Sequence, residues 1–199
     1  MVKSAEFRKA AANYLTWSLA QLLAKTPLTP NCITWLGFSL AVGAAVLVVT
    51  GHLLAAGFLV LLGGFCDMLD GAVARLTGRA TRFGAVLDST LDRLAEAAIL
   101  LGILVIYAHG QLVAESLLVG LALLGSFMVS YLRARVEALG IECRVGLFTR
   151  AERVIVLALG LLLSQFAYAL VIALAIIVVF SFVTAGQRLF YAWRYTKIK

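Results

Sequence analysis

Six long apolar runs, at about 33–50, 53–75, 84–108, 112–138, 151–165 and 168–195, are separated by short breaks. The breaks fall at Gly51–His52, over 76–83, at His109–Gly110, in a polar stretch near 139–150, and at Ser164–Gln165. A bilayer-spanning helix takes about 20 mostly apolar residues, so the pattern predicts six transmembrane helices, with no room for a separate soluble domain. Ahead of them, over about 5–25, Phe7, Ala11, Tyr14, Leu15, Leu19, Leu22 and Leu23 recur three and four apart, with Arg8, Lys9 and Lys25 at the ends. That spacing predicts an amphipathic helix lying in the membrane interface, and Pro27 and Pro30 end it. The expected fold is all-α: a polytopic membrane protein with six transmembrane helices and an N-terminal amphipathic juxtamembrane helix. It forms one integral-membrane domain over 1–199, with 1–32 as an interfacial arm and 33–195 as a six-helix bundle.

Composition supports this reading and adds an orientation. The chain is 63% hydrophobic and 14% charged, with a mean hydropathy of +1.01, whereas a soluble domain carries about a quarter of its residues as charges. A disordered chain, a coiled coil and a disulfide-stapled secreted module are excluded on the same grounds. The 17 Lys and Arg residues fall in the N-terminal arm, the loop between spans two and three, the region between spans four and five, the C-terminus, and adjoining helix ends. None lies in the turns near 51, 110 or 165. The positive-inside rule then puts both termini and the two charged loops on the cytoplasmic side of the cell membrane. The net charge of +7 is read as contact with anionic lipid, not with nucleic acid. Cys32, Cys66 and Cys143 show no paired spacing, and His52 and His109 fall in turns without a nearby partner. The N-terminus does not read as a cleaved signal peptide.

The chemistry sits in one stretch, Asp67-Met-Leu-Asp70-Gly71-Ala-Val-Ala74-Arg75, then eight residues, then Gly84-Ala-Val-Leu-Asp88-Ser-Thr-Leu-Asp92. Asp67 and Asp70 are three apart and Asp88 and Asp92 four apart, so each pair shares a helix face. The short loop predicts antiparallel neighbouring helices, which brings four carboxylates to one depth near the cytoplasmic surface. Ionisable groups inside a span are costly and mark function. Four acids at one locus suit two divalent cations, Mg²⁺ or Mn²⁺, held by hard oxygen ligands. Gly71 and Gly84, on the same faces, leave room for a phosphate to approach the backbone. The competing reading is a buried ion network with Arg75, Arg79, Arg82 and Arg93. Glu96, one turn beyond Asp92, is read as a helix-pairing partner.

The motif Asp67-x-x-Asp70-Gly71-x-x-Ala74-Arg75-x8-Gly84-x-x-x-Asp88-x-x-x-Asp92 resembles, at every defined position, the signature of the CDP-alcohol phosphatidyltransferase family. Leu28-Thr29-Pro30-Asn31-x-x-Thr34 before the first span also looks like that family. The resemblance implies transfer of a phosphatidyl group from a CDP-linked lipid to an alcohol, with release of CMP. It assigns Asp67, Asp70, Asp88 and Asp92 to two divalent ions and Asp92 to the role of general base. Asp67, Asp70, Gly71, Arg75, Gly84 and Asp88 carry over to the CDP and metal site, with Thr34, Arg79 and Thr81 as further nucleotide candidates. A homodimer is expected from the resemblance alone.

A second cluster addresses the acceptor. Arg133, Arg135, Arg150, Arg153 and Arg188 enter one end of the bundle from three helices, and guanidinium forks suit phosphate. A phosphorylated acceptor is expected, and choline or ethanolamine is not. Residues 130–153 are similar to the inositol-phosphate-using branch, the phosphatidylinositol phosphate and archaetidylinositol phosphate synthases. That resemblance implies an inositol 1-phosphate pocket of Ser130, Arg133, Arg135, Arg153 and Arg188, although Arg133 stands where many members have lysine and Thr149 where an acid is frequent. Glycerol 3-phosphate is the alternative acceptor, since the arginines alone do not tell the two phosphates apart. An alternative of another class is a small ion or proton transporter that uses the acids as a relay. Such a relay should continue across the bilayer, yet the outer half of every expected span lacks acids except for Glu115.

Overall fold

Proline at the first turn of a helix costs nothing, because its missing N–H has no intrahelical partner there, and Pro30 opens the first long helix in this way. The computed structural model describes residues 17–24, 26, 28–143 and 145–196. Residues 17–24 are helical (α1). Then follow α2 (Pro30–Val49), α3 (Leu53–Thr77), α4 (Arg82–His109), α5 (Val113–Ala138), α6 (Arg150–Leu162) and α7 (Ala169–Thr196). The described residues contain no strand, so the all-α expectation stands. The expected interfacial helix over 5–25 falls mostly on residues 1–16 and 25, outside the described residues. Of its remainder, Ala20 and Leu23 pack on Ile33, Leu69, Ala72 and Val73, while Trp17 and Leu22 stay exposed.

Four helices, α2, α3, α5 and α7, are long and apolar enough to cross a membrane, which makes this a multi-pass membrane protein. The other two differ for identifiable reasons. Helix α4 has 28 residues, but Asp88, Asp92, Arg93 and Glu96 interrupt its apolar face. Helix α6 has 13 residues, about 20 Å at 1.5 Å each. It ends at Leu162, short of the expected 165, where turn bonds such as Phe166 N–H to Leu163 O (2.9 Å) take over. Outward-facing Val46, Phe58, Leu117, Phe166 and Ile172 are more than half exposed, as suits a hydrocarbon solvent.

The core runs through the whole bundle and contains Ala44 and Val48 of α2, Val60 of α3, Ile99 and Ile103 of α4, Ala122 of α5, Leu157 and Leu161 of α6, and Leu174 and Ile177 of α7. Lipid offers no hydrophobic drive between helices, so close approach of small residues carries the packing. A β-carbon at Gly102 would stand 3.0 Å from Ala45 O, one at Gly125 3.0 Å from Ser181 Cβ, and one at Gly160 2.6 Å from Ala173 Cβ.

The α3–α4 connection departs from expectation. The loop is residues 78–81, half the expected length, closed by Gly78 in the left-handed region (φ +65) after α3 and by Thr81, whose hydroxyl accepts the Gly84 N–H at 2.9 Å. Such a loop normally joins helices in direct contact, yet α3 and α4 each pack against α2 rather than along one another. Helix α2 therefore acts as a wedge. It keeps apart the two helices that carry the acids, and the gap it maintains is the cleft of the site.

Candidate functional site

Ligand oxygens of Asp67, Asp70 and Asp88 lie within 4.8 Å of one another, across the gap between α3 and α4. Asp70 is buried, and its Oδ2 accepts a hydrogen bond from the Thr34 hydroxyl of α2 at 2.8 Å. The wedge helix thus also fixes a carboxylate rotamer. Three hard oxygen donors from two helices, so close together, fit a divalent cation of the Mg²⁺ or Mn²⁺ kind.

Asp92 lies one turn deeper on α4 and is engaged from a third helix. The Arg150 guanidinium spans the site, with Nη1 on Asp67 and Nη2 on Asp92 Oδ1 at 2.8 Å. This partner corrects the alternative network: among the described residues, the ion pairs to the four acids come from Arg150, not from Arg75, Arg79, Arg82 or Arg93. It also moves Arg150 away from the acceptor group in which its sequence position placed it. Asp67, Asp92, Glu96 and Arg150 line a cavity walled by Gly37, Gly63 and Leu157.

The expected donor-side residues come together. Thr34, Asp70, Gly71, Arg75, Arg79, Thr81, Gly84 and Asp88 line one open cleft, joined by Pro30 and Asn31. Arg75 folds back over Gly71, its Nη1 standing 3.4 Å from where a β-carbon would be, so its guanidinium lies inside the cleft. A β-carbon at Gly84 would stand 2.9 Å from Thr81 Oγ1 and 3.2 Å from the Asn31 side-chain oxygen. Asn31 was not singled out by the sequence reading. Its signal was its place in the Leu28–Thr34 motif.

The acceptor candidates are held differently, and three of them, Arg133, Arg153 and Arg188, are engaged by the protein itself. Arg153 is buried, with Nε on Glu96 Oε1 at 2.7 Å and Nη2 on Oε2 at 2.9 Å. Glu96 is thus a helix-pairing residue, as its position suggested, but its partner comes from α6. Arg188, also buried, gives Nε to Val145 O (2.9 Å) and Nη1 to Val129 O (2.5 Å), and Arg133 and Arg153 lie near enough for their charges to bear on it. Arg133 is exposed and pairs with Glu137 at 2.8 Å; Arg135 is exposed and Ser130 half-buried.

Residues 145–149 place these groups. Gly146 (φ +141) runs against α7, where a β-carbon would meet Thr184 Cγ2 at 2.8 Å and the Arg188 guanidinium at 3.2 Å. Phe148 N–H reaches Thr184 Oγ1 (3.1 Å) and Leu147 N–H reaches Gln187 Oε1 (3.3 Å). The Thr149 N–H then meets Glu152 Oε2 at 2.8 Å, and α6 starts at Arg150. Anchoring to α7 therefore sets where Arg150 and Arg153 enter the bundle.

Fold and cleft together define an integral-membrane protein with a carboxylate cluster of the metal-binding kind facing a polar, arginine-lined opening. The family model described as CDP-alcohol phosphatidyltransferase matches residues 27–185, and the chain belongs to that family. It is 43% identical over 173 residues to the archaetidylinositol phosphate synthase of Methanothermobacter thermautotrophicus, covering 85% of this chain and 86% of that one. To the phosphatidylinositol phosphate synthase of Mycobacterium marinum it is 37% identical over 203 residues, 97% of this chain and 86% of that one. Its fold matches the crystal structure of Mycobacterium tuberculosis phosphatidylinositol phosphate synthase with CDP-DAG bound (TM-score 0.82, 36% identity, 90% of this chain and 94% of that one). A second structure of that enzyme, with manganese and citrate, matches at the same TM-score and identity over 89% of this chain and 88% of that one.

Proposed function

We infer that this chain transfers a phosphatidyl group from a CDP-linked lipid, CDP-diacylglycerol or its archaeal analogue, to inositol 1-phosphate, giving phosphatidylinositol phosphate and CMP. The observation that carries the reading is the cleft: acids from α3 and α4 face a pocket that Arg75 and Arg79 also line. Relatives named for inositol phosphate acceptors, similar over most of this chain, support the acceptor.

In this reading Asp67, Asp70, Asp88 and Asp92 hold two divalent ions, which neutralise the CDP pyrophosphate. Gly71, Arg75, Arg79, Thr81, Gly84 and Thr34 receive the CDP-lipid. The acceptor hydroxyl attacks the lipid-bearing phosphorus, its proton passes to Asp92, and the bond from that phosphorus to the CMP oxygen breaks. A positioned base of this kind contributes about 10²–10⁴ in rate. Ser130, Arg133, Arg135, Arg153 and Arg188 receive the acceptor phosphate.

The same reading takes all six helices α2–α7 as crossing the cell membrane, α6 as a short span and α4 with its acids turned to the cleft. The helix over 17–24 lies along the interface, ahead of a single bundle. Both termini and the cleft face the cytoplasm, where a soluble acceptor meets a donor whose tails stay in lipid, and two copies pair as a homodimer. The test is CMP release from CDP-diacylglycerol with inositol 1-phosphate, glycerol 3-phosphate, serine and free inositol offered separately. Turnover with inositol 1-phosphate alone supports the assignment. Faster turnover with glycerol 3-phosphate overturns the acceptor and leaves the reaction class standing.

A further inference from the structure

Behind the acid cluster three buried side chains from three helices make a closed polar contact. Glu96 of α4 receives both the Nε and Nη2 donors of Arg153 from α6, and its Oε1 also accepts the Ser126 hydroxyl of α5 at 2.9 Å. All three are less than 9% exposed. Of the Arg153 guanidinium, one nitrogen remains: Nη1 is buried and has no hydrogen-bond partner among the described residues. A buried donor left unpaired costs more than a formed hydrogen bond gains, so an orphan nitrogen beside two engaged ones marks a place where a ligand completes the set.

The position of this group ties it to the site. Glu96 is one helical turn beyond Asp92 and lines the same cavity as Asp67, Asp92 and Arg150. Arg153 is one turn beyond Arg150, and Arg188 lies close enough to sense its charge. A bare ion pair bracing the bundle would be better served by using every donor or by apolar replacement, since buried pairs seldom add net stability. The geometry points to Glu96, supported by Ser126, as the positioning residue that locks one edge of Arg153 and leaves Nη1 alone to meet the acceptor phosphate. This rests on the proposed acceptor role of Arg153 and deepens it, because it makes Arg153 a single, aimed donor instead of a bidentate fork, with Glu96 setting the aim.

A lone Arg153 substitution would strand the Glu96 carboxylate in the interior, so the charge-neutral pair is the informative variant. Purified enzyme in nanodiscs, wild type and with E96Q, S126A, R153Q and E96Q/R153Q, is assayed for the KM of inositol 1-phosphate and of CDP-diacylglycerol, with melting temperature and Mn²⁺ binding measured alongside. E96Q keeps the shape and a bond to Ser126 but loses the charged edge contact. It should raise the acceptor KM about tenfold, on the scale of one charge-assisted hydrogen bond, while the donor KM and Mn²⁺ affinity stay within about twofold. S126A should show a smaller effect in the same direction. In E96Q/R153Q the acceptor KM should be no worse than in R153Q, because Glu96 acts only through Arg153. If E96Q/R153Q leaves the acceptor KM unchanged, the acceptor role of Arg153 itself fails. If R153Q raises that KM but E96Q does not, or the two effects add in the double variant, the positioning role is overturned with the acceptor reading intact. Equal rises in both KM values with a lowered melting temperature would make Glu96 a brace and nothing more.

Discussion

The two polar regions of this bundle are built on opposite plans. Between α3 and α4, Asp70 and Asp88 face an open cleft, and their helices are held apart by α2, so the charge of these two acids is left available to whatever enters. Among α5, α6 and α7 the buried arginines are already engaged, Arg153 by Glu96 and Arg188 by the carbonyls of Val129 and Val145. Under the proposed function, the difference follows from what each ligand supplies. Divalent ions and a CDP group bring enough charge to satisfy several carboxylates and guanidinium groups at once. In the proposed function, an acceptor with one phosphate cannot satisfy a set of bare buried cations, and the protein engages Arg153 and Arg188 itself. Arg150 joins the two plans, since it enters with the arginine helix and ends on Asp67 and Asp92.

The largest test of the contrast is to empty the open region of positive charge. Excess chelator should abolish CMP release, and Mg²⁺ or Mn²⁺ should restore it, because clustered carboxylates make chemical sense chiefly as ion ligands. Asp70→Asn should behave likewise while the protein still elutes as a folded species from size exclusion. Full turnover in EDTA would remove the metal reading altogether. Next in size, Asp92→Asn should lower turnover by about 10²–10⁴, the usual weight of a positioned base, while donor KM changes little. A rise in donor KM of the same size would leave Asp92 its ligand role and remove its role as base.

How much of each region the sequence disclosed follows from the same contrast. The acids were legible because their spacing is local: intervals of three and four on two consecutive helices, joined by a short loop, state a shared face and depth without any knowledge of packing. Even so, the gap between α3 and α4 was not legible. Loop length predicts contact, and only the position of α2, with Thr34 against Asp70, shows why the helices stand apart. The arginines were visible as residues but not as partners. Nothing near Arg153 announces Glu96, 57 positions away, and nothing near Arg150 announces Asp67, 83 positions away. Ser126 passed as one more small residue in an apolar helix. The spans show the same division, since hydropathy alone marks α2, α3, α5 and α7, whereas α4 carries the site's charges and α6 is cut short by the turns after Leu162.

Smaller effects probe the saturated region. Arg188→Gln removes a group that ties Val145 and Val129 together beneath Gly146. The acceptor KM should rise about 10- to 100-fold, since a contact to a charged group is worth about 1.5–3 kcal/mol, and the donor KM should move far less. Comparable rises in both would mean that Arg188 organises the whole cytoplasmic end and that the division into donor and acceptor regions is too sharp.

The smallest expected effect concerns the polar contact that α2 makes with Asp70. Thr34 gives its hydroxyl proton to Asp70 Oδ2 at 2.8 Å while also lying 3.1 Å from Pro30 O, so a single side chain ties the wedge helix to a carboxylate of the open region. Thr34→Val keeps the branched shape that packs beside Gly37 and Phe38 but leaves the Asp70 rotamer unguided. Partners that orient a ligating carboxylate are worth about 10- to 100-fold in metal affinity. The low end applies here, because Asp67 and Asp88 remain. Mn²⁺ titration followed by electron paramagnetic resonance should therefore show about tenfold weaker binding in Thr34→Val and near-native binding in Thr34→Ser, with the CDP-lipid KM changed less than the Mn²⁺ affinity. If Thr34→Val instead raises the donor KM and leaves Mn²⁺ binding intact, Thr34 belongs to the nucleotide wall, and α2 shapes the open region by packing alone.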